Sequence, residues 1–166
     1  ENPERPLITI LGGTLKERKE LIFLERISQI SDIVLIGGLM KKTIEERNFS
    51  FQDPGKITPP LKEDIAALDL GPNTLKIFQE KISKAKTIFW SGPFGRIEKK
   101  EFQKGTKKIA KTISETKAFK VAGGGSTVFF IRNLKIASSF DHLSTGGGAM
   151  FAFLAGEKLP GIEALK

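Results

Sequence analysis

Leu7-Ile8-Thr9-Ile10-Leu11-Gly12-Gly13 sets the pattern that decides the fold: a short apolar run that ends in paired glycines. The same punctuation returns along the chain. Ile33-Val34-Leu35-Ile36 runs into Gly37-Gly38, Thr87-Ile88-Phe89-Trp90 into Ser91-Gly92-Pro93-Phe94-Gly95, Lys120-Val121-Ala122 into Gly123-Gly124-Gly125, and Ser144-Thr145 into Gly146-Gly147-Gly148. Short apolar runs bounded by glycine read as strands buried on both faces, as in parallel sheets. Glycine at a strand-to-helix turn leaves backbone amides and a helix N-terminus at the sheet edge, a place suited to phosphate oxygens. The alternative reading of the same glycines is close packing at inherited turns, with no ligand.

The segments between the glycines carry helical periodicity. Leu15 to Ser28 lacks proline and glycine and spaces Leu21, Leu24 and Ile27 on one face, and a second helix is expected near Met40 to Arg47. This βαβα rhythm predicts an α/β fold: a Rossmann-like three-layer parallel sheet of five or six strands with helices on both faces. Asn48 to Pro60, with Pro54-Gly55 and Pro59-Pro60, reads as turns and extended loop with little room for another core strand. Asp69-Leu70-Gly71-Pro72-Asn73 opens a helix through about Ser83 with Leu75, Phe78 and Ile82 inward. A helix over about Lys99 to Thr116 puts Phe102, Thr106, Ile109 and Ile113 on one face and Lys100, Lys104, Lys107, Lys108 and Lys111 on the other. Strands at Phe119 to Ala122 and at Ala137 to Phe140 or slightly later, with helices Thr127 to Asn133 and Ala149 to Leu154, complete the chain. Phe129-Phe130 and Phe151 with Phe153 read as core.

The 166 residues fit one domain, 1–166. Cysteine is absent, which removes disulfides, thiolate metal sites and a cysteine nucleophile. The longest apolar runs fall far short of the roughly 20 residues that cross a bilayer, so a soluble chain in the cytoplasm, or alternatively an organelle matrix, is expected. The opening Glu1-Asn2-Pro3-Glu4-Arg5-Pro6 is polar and proline-broken, like a linker or a cut end of something larger. A net charge of +8 favours anionic partners. The lysine stripe is either a solvated helix face or a docking surface for RNA, anionic lipid or an acidic partner, and no aromatics interleave with it to stack on single strands. His142 is the one histidine. It has no acid-base partner nearby in sequence and reads as a hydrogen-bonded structural residue.

In order and nearly from end to end, the motifs resemble the C-terminal, nucleotide-binding lobe of phosphoglycerate kinase. The matching stretches are Ile10-Leu11-Gly12-Gly13, Leu35-Ile36-Gly37-Gly38 with Met40, Leu68-Asp69-Leu70-Gly71-Pro72, Trp90-Ser91-Gly92-Pro93-Phe94-Gly95 with Glu98, Phe102-Gln103-Lys104-Gly105-Thr106, Gly123-Gly124-Gly125, His142-Leu143-Ser144-Thr145-Gly146-Gly147-Gly148-Ala149 and Phe153-Leu154-Ala155-Gly156-Glu157-Lys158-Leu159-Pro160-Gly161. The resemblance implies transfer of a phosphoryl group between an acyl phosphate and ADP, with ADP or ATP bound and magnesium carried on the nucleotide rather than in a protein metal site. It places adenine against backbone around Gly12, Gly13, Gly37, Gly38 and Gly71, with Pro93 in the same pocket and Glu98 accepting the ribose hydroxyls. Gly123, Gly124 and Gly125, followed by Ser126 and Thr127, would lie by the phosphates. Gly146, Gly147 and Gly148 would offer amides to the transferred group, and Lys19 matches the second lysine of the family's Gly-Gly-Ala-Lys-x-x-x-Lys motif. Read without the resemblance, Glu98 is a solvated acid near a helix start and Lys19 a surface lysine on an amphipathic helix.

The departures bear on activity. Leu15 stands where the family has the first lysine of that motif, and Lys16, turned by about 100° around the helix, does not replace it simply. Ser126 stands where an aspartate ties magnesium to the nucleotide, and a hydroxyl brings no negative charge there. Ser91, Thr14 and Arg96 replace an asparagine, an alanine and a small apolar residue. The family's strand with a Pro-Val-Asp motif has no counterpart between Arg47 and Leu61, and the N-terminal lobe that holds the phosphoglycerate is not in the sequence. Losing a charge contact to the moving group costs about 10² to 10⁴ in rate, so the chain is expected to bind nucleotide without independent kinase activity. Two other roles stay open: a non-catalytic subunit that docks an anionic partner through its lysine-rich helix, and one lobe of an active split or truncated kinase.

Overall fold

β1 (Leu7–Leu11) is buried at every position, because it has a strand on each side and helices over both faces. It pairs in parallel with β2 (Ile33–Ile36), Thr9 opposite Val34, and with β4 (Thr87–Ser91), Thr9 opposite Phe89. The sheet of this computed structural model, which describes residues 2–14, 18–64 and 68–165, is parallel throughout and has six strands. Its order is β3-β2-β1-β4-β5-β6, with β3 at Ile57–Thr58, β5 at Phe119–Gly123 and β6 at His142–Ser144. This is the doubly wound order in which the chain reverses its direction of travel between β1 and β4, opening a crevice at the carboxyl ends of those strands.

Alternate strand residues divide the core into two layers. Ile8, Ile10, Leu35, Ile88 and Trp90 pack with α3 (Pro72–Ile82), α4 (Lys104–Glu115) and α5 (Gly125–Asn133) on one face. Leu11, Val34, Ile36 and Phe89 pack with α1 (Arg18–Ile30), α2 (Gly38–Glu46) and α6 (Gly147–Leu154) on the other. Burial of Leu24, Phe78, Ile82, Ile109 and Ile113, each fully or almost fully enclosed, contributes about 1.5–3 kcal/mol per side chain and holds the helices down. A short helix α7 (Pro160–Glu163) follows α6.

Several expectations need correction. The stretch 48–60 holds no core strand but is not loop throughout, since Ile57–Thr58 form the two-residue edge strand β3 beside β2. The helix expected over Lys99–Thr116 is broken: Lys100–Phe102 form a 3₁₀ turn and α4 starts after Gln103, whose side-chain amide donates to the Ile97 carbonyl. Lys100 therefore leaves the lysine row, which keeps Lys104, Lys107, Lys108 and Lys111. Ala137–Ser139 is also a 3₁₀ turn, so the last strand comes later, at β6. Phe129 and Phe153 are 64% and 60% exposed and do not join the core that Phe130 enters. Phe129 stands about 100° around α5 from Phe130, and Phe153 about 200° around α6 from Phe151, which turns each toward solvent. His142 is exposed on β6 rather than packed as a structural histidine. No helix among the described residues is long and apolar enough to cross a membrane.

Candidate functional site

The site begins where the two central strands end. The Gly12 amide donates to the Ser91 carbonyl at 2.9 Å, continuing the β1–β4 ladder one residue past the strand. A Cβ on Gly12 would collide with the Pro93 carbonyl, and one on Gly92, held at φ +84°, with the Gly12 carbonyl. Only glycine lets both backbones meet here. Thr127, fully buried on α5, accepts the Gly92 amide on its Oγ1 at 2.8 Å and anchors this turn from the next helix. Trp90 donates its indole N–H to the Gly92 carbonyl at 2.9 Å.

Above these ends lies a cleft of about 520 Å³ between α1 and α6. Its floor is Leu11, Gly12 and Ser91, with Thr14 at the rim; Glu20 and Phe23 of α1 form one wall and Gly147, Gly148, Phe151 and Ala152 of α6 the other, with Met40 behind. Phe23 and Phe151 meet edge to face, ring centres 6.2 Å apart. Further along, Arg26 donates to the Ala155 carbonyl at 3.0 Å and pairs with Glu157. These contacts fix the width of the cleft.

The N-termini of α5 and α6 adjoin at the same sheet edge. Gly124 donates to the Ser144 carbonyl at 2.9 Å, and the Cβ position of Gly147 is 2.8 Å from the Gly124 Cα. The first-turn amides of both helices have no acceptor within their own helix, and their dipoles favour negative charge. Glu20 is the one charged side chain lining the cleft among the described residues. The positive field available to an anion there comes from backbone, not from those side chains. Among the described residues no group of three or more His, Asp or Glu side chains is placed to hold a metal ion.

The sequence-derived candidates separate into groups. Gly12, Gly147 and Gly148 line the cleft. Gly146, Gly125 and Ser126 are exposed at the two helix N-termini, with Gly123 and Gly124 below them. The hydroxyl of Thr127 is occupied by the Gly92 amide. Gly37 lies under the Phe94 ring, 3.2 Å from its Cβ position, Gly71 lies against the Asp64 carboxylate and Gly123 against the Met150 methyl. In these three the missing side chain makes room for protein. Gly38 is buried at the start of α2, Gly13 has open space beside it, Pro93 forms the turn over Gly12, and Glu98 is exposed and outside the cleft lining. Leu15 and Lys16 lie outside the described residues, as does the Lys19 side chain on the first turn of α1. Phe23, Met40, Phe151 and Ala152 were not among the candidates. Their signal was available in the helical periodicity of α1 and α6, but periodicity does not tell a core wall from a cleft wall.

With this geometry in hand, comparisons with known proteins agree with one another. The phosphoglycerate kinase family model matches residues 45–157. Among curated relatives, phosphoglycerate kinase of Finegoldia magna is 35% identical over 99% of this chain and 53% of its own length, and that of Buchnera aphidicola subsp. Acyrthosiphon pisum is 32% identical over 100% and 52%. Among solved structures, phosphoglycerate kinase from Coxiella burnetii superposes with a TM-score of 0.80 at 25% identity, covering 100% of this chain and 54% of that one. The enzyme from Pyrococcus horikoshii OT3 does so at 0.81 and 27%, covering 98% and 52%. The chain spans about half the length of the relatives it matches. The Finegoldia alignment runs over 209 positions against 166 residues here, so that relative has residues with no counterpart in this chain.

Proposed function

We propose a function from one premise: this chain belongs to the phosphoglycerate kinase family. On that premise it is the nucleotide-binding lobe, and it binds the phosphates of ADP or ATP in the cleft at the carboxyl ends of β1 and β4. The observation that carries this reading is the meeting of two helix N-termini past the carboxyl ends of β5 and β6, with Gly124 and Gly147 in backbone contact and Gly147 lining the same cleft as Gly12 and Ser91 at the ends of β1 and β4. The amides of Gly125 and Ser126 on α5, and of Gly148 and Ala149 on α6, are the groups that would hold phosphate oxygens. Ser91 offers a hydroxyl from the floor, and Lys19 would add the positive side-chain charge that the described lining lacks. A cleft of about 520 Å³ with apolar walls and a few convergent polar groups suits a nucleotide-sized ligand. Magnesium, when bound, would neutralise phosphate charge; Ser126 can offer it only a neutral oxygen.

The same reading holds that this lobe alone transfers no phosphoryl group. Leu15 offers no charge to the moving group, and no residue described here replaces it.

Isothermal titration of ADP and ATP, with and without magnesium, into the 166-residue chain tests the proposal. Saturable heat is expected, weakened at least about tenfold by Gly148→Asp, which sets a carboxylate beside the phosphates at a cost of about 1.4 kcal/mol in binding. The Cβ position of Gly148 has no neighbour within 4 Å, so the substitution leaves the fold intact. Absence of heat at millimolar nucleotide, or unchanged binding by the variant, overturns the assignment.

A further inference from the structure

The two helices whose starts adjoin at the cleft are held very differently. α5 buries Thr127, Val128, Phe130 and Ile131, whereas α6 buries no residue, and its Met150, Phe151 and Leu154 pack against the core only in part. The strand that leads into α6, β6, is at the edge of the sheet and pairs on one side alone. What places α6 therefore lies outside its own burial.

α1 supplies it. The two helices follow parallel strands on the same face of the sheet and so run in the same direction. They meet at two levels. Phe23 packs edge to face on Phe151, and one turn further on Arg26 donates to the Ala155 carbonyl at 3.0 Å and pairs with Glu157. Ala155 caps the C-terminal end of α6, so its carbonyl belongs to the group that has no acceptor role inside the helix. α6 has no acid in its first turn and no base in its last, which leaves its dipole uncompensated by its own sequence. Arg26 brings a cation to the negative end from a neighbouring helix. The positive end, at Gly147 and Gly148, lines the cleft.

We infer that Arg26 is a positioning residue for nucleotide phosphate: by holding the last carbonyl of α6, it fixes where the amides of Gly148 and Ala149 stand relative to the start of α5. This role rests on the proposal that phosphates lie at the two helix starts. Arg26 itself is outside the cleft lining and acts through the helix. Eight residues at about 1.5 Å each make a rod of about 12 Å, with no buried side chain to absorb a shift, so a displacement at Ala155 is felt at Gly148. There is little slack at the far end, where the Cβ position of Gly147 is 2.8 Å from the Gly124 Cα. The bond to the carbonyl carries the effect rather than the ion pair. Arg26 and Glu157 are 45% and 43% exposed, and ion pairs of that kind contribute little.

Amide NMR of the isotope-labelled 166-residue chain, titrated with ADP, reads the two helix starts separately. In the parent, the amides of Gly125 and Ser126 on α5 and of Gly148 and Ala149 on α6 should all shift. In Arg26→Met, the α6 pair should lose its response while the α5 pair keeps it, with affinity reduced about three- to tenfold. Arg26→Lys keeps a cation that can bond a carbonyl and should recover part of both losses, and Glu157→Gln should stay near the parent. The exposure of Arg26 means that these changes leave the core untouched. A role confined to stability would lower the unfolding midpoint, followed by Trp90 fluorescence, without separating the α6 amides from those of α5. Unchanged affinity with both pairs responding in Arg26→Met overturns the inference. So does an equal loss at both pairs, or a Glu157→Gln variant that behaves like Arg26→Met. A parent chain in which ADP moves neither pair refutes the phosphate assignment itself, so the two failures are told apart.

Discussion

The Asp69 carboxylate accepts the Gly105 amide at 2.8 Å with one oxygen and the Leu70 amide at 2.9 Å with the other. Asp69 thereby satisfies a first-turn amide of α4 from outside that helix. The Gly95 Cβ position lies 2.7 Å from the same carboxylate, so the turn after β4 is held against the start of α4. Asp69→Ala should cost about 1–2 kcal/mol, read as a lower denaturant midpoint. An unchanged midpoint would mean that water serves both amides equally well.

The glycines of the site should respond in opposite directions. Gly92→Ala adds a Cβ at φ +84° against the Gly12 carbonyl and should destabilise by about 2–4 kcal/mol. Gly148→Ala, in the first turns of α6 with open space around it, should stabilise by up to about 1 kcal/mol. Thermal unfolding of both variants checks the pair.

Thr127→Val keeps the shape of a fully buried side chain but leaves the Gly92 amide without its acceptor. A loss of about 1–3 kcal/mol is expected, largely recovered by Thr127→Ser. Trp90, the single tryptophan, lies fully buried two residues from Gly92, so its fluorescence follows the unfolding directly.

The strands were legible in the sequence because a parallel sheet buries both faces and leaves uninterrupted apolar runs. β6 falls at the later of the positions the sequence allows for the converse reason: an edge strand of His142, Leu143 and Ser144 needs no such run, and the apolar residues just before it form a 3₁₀ turn. The break at Gln103 was invisible because Phe102 continues the helical period, while a side-chain bond to Ile97 decides the local conformation. The glycines were the hardest part. Gly37 and Gly147 look alike in sequence, yet one lies under Phe94 and the other opens a cleft, a distinction made by residues far away in the chain. The cleft walls Phe23 and Phe151 depended likewise on which helices the sheet brings together.

The lysine row should carry a measurable stability cost. Lys104→Glu replaces a repulsive i,i+4 pair with an attractive one toward Lys108 and places an acid at the N-terminus of α4, a gain of about 0.3–1 kcal/mol at low salt. That gain should shrink as salt is added.

Restoring the two family residues tests the nucleotide assignment from the other side. Leu15→Lys with Ser126→Asp should raise affinity for magnesium-ADP, and titration with and without magnesium should assign the gain from Ser126→Asp to the metal-dependent part. Equal affinity of the double variant and the parent, with and without magnesium, would argue against phosphates lying beside Ser126 at the start of α5.

The bond from Arg26 to the Ala155 carbonyl joins residues 129 apart in sequence. β1 and β2 can find each other after a short crossover, whereas α1 and α6 meet only after the whole intervening chain has been threaded through the sheet. Closing so long a loop is entropically dear at an early stage, so the two walls of the cleft come together late on any folding route. During synthesis, the segment that completes the cleft is also among the last of these residues to emerge, and until then the apolar side of Phe23 is open to other partners.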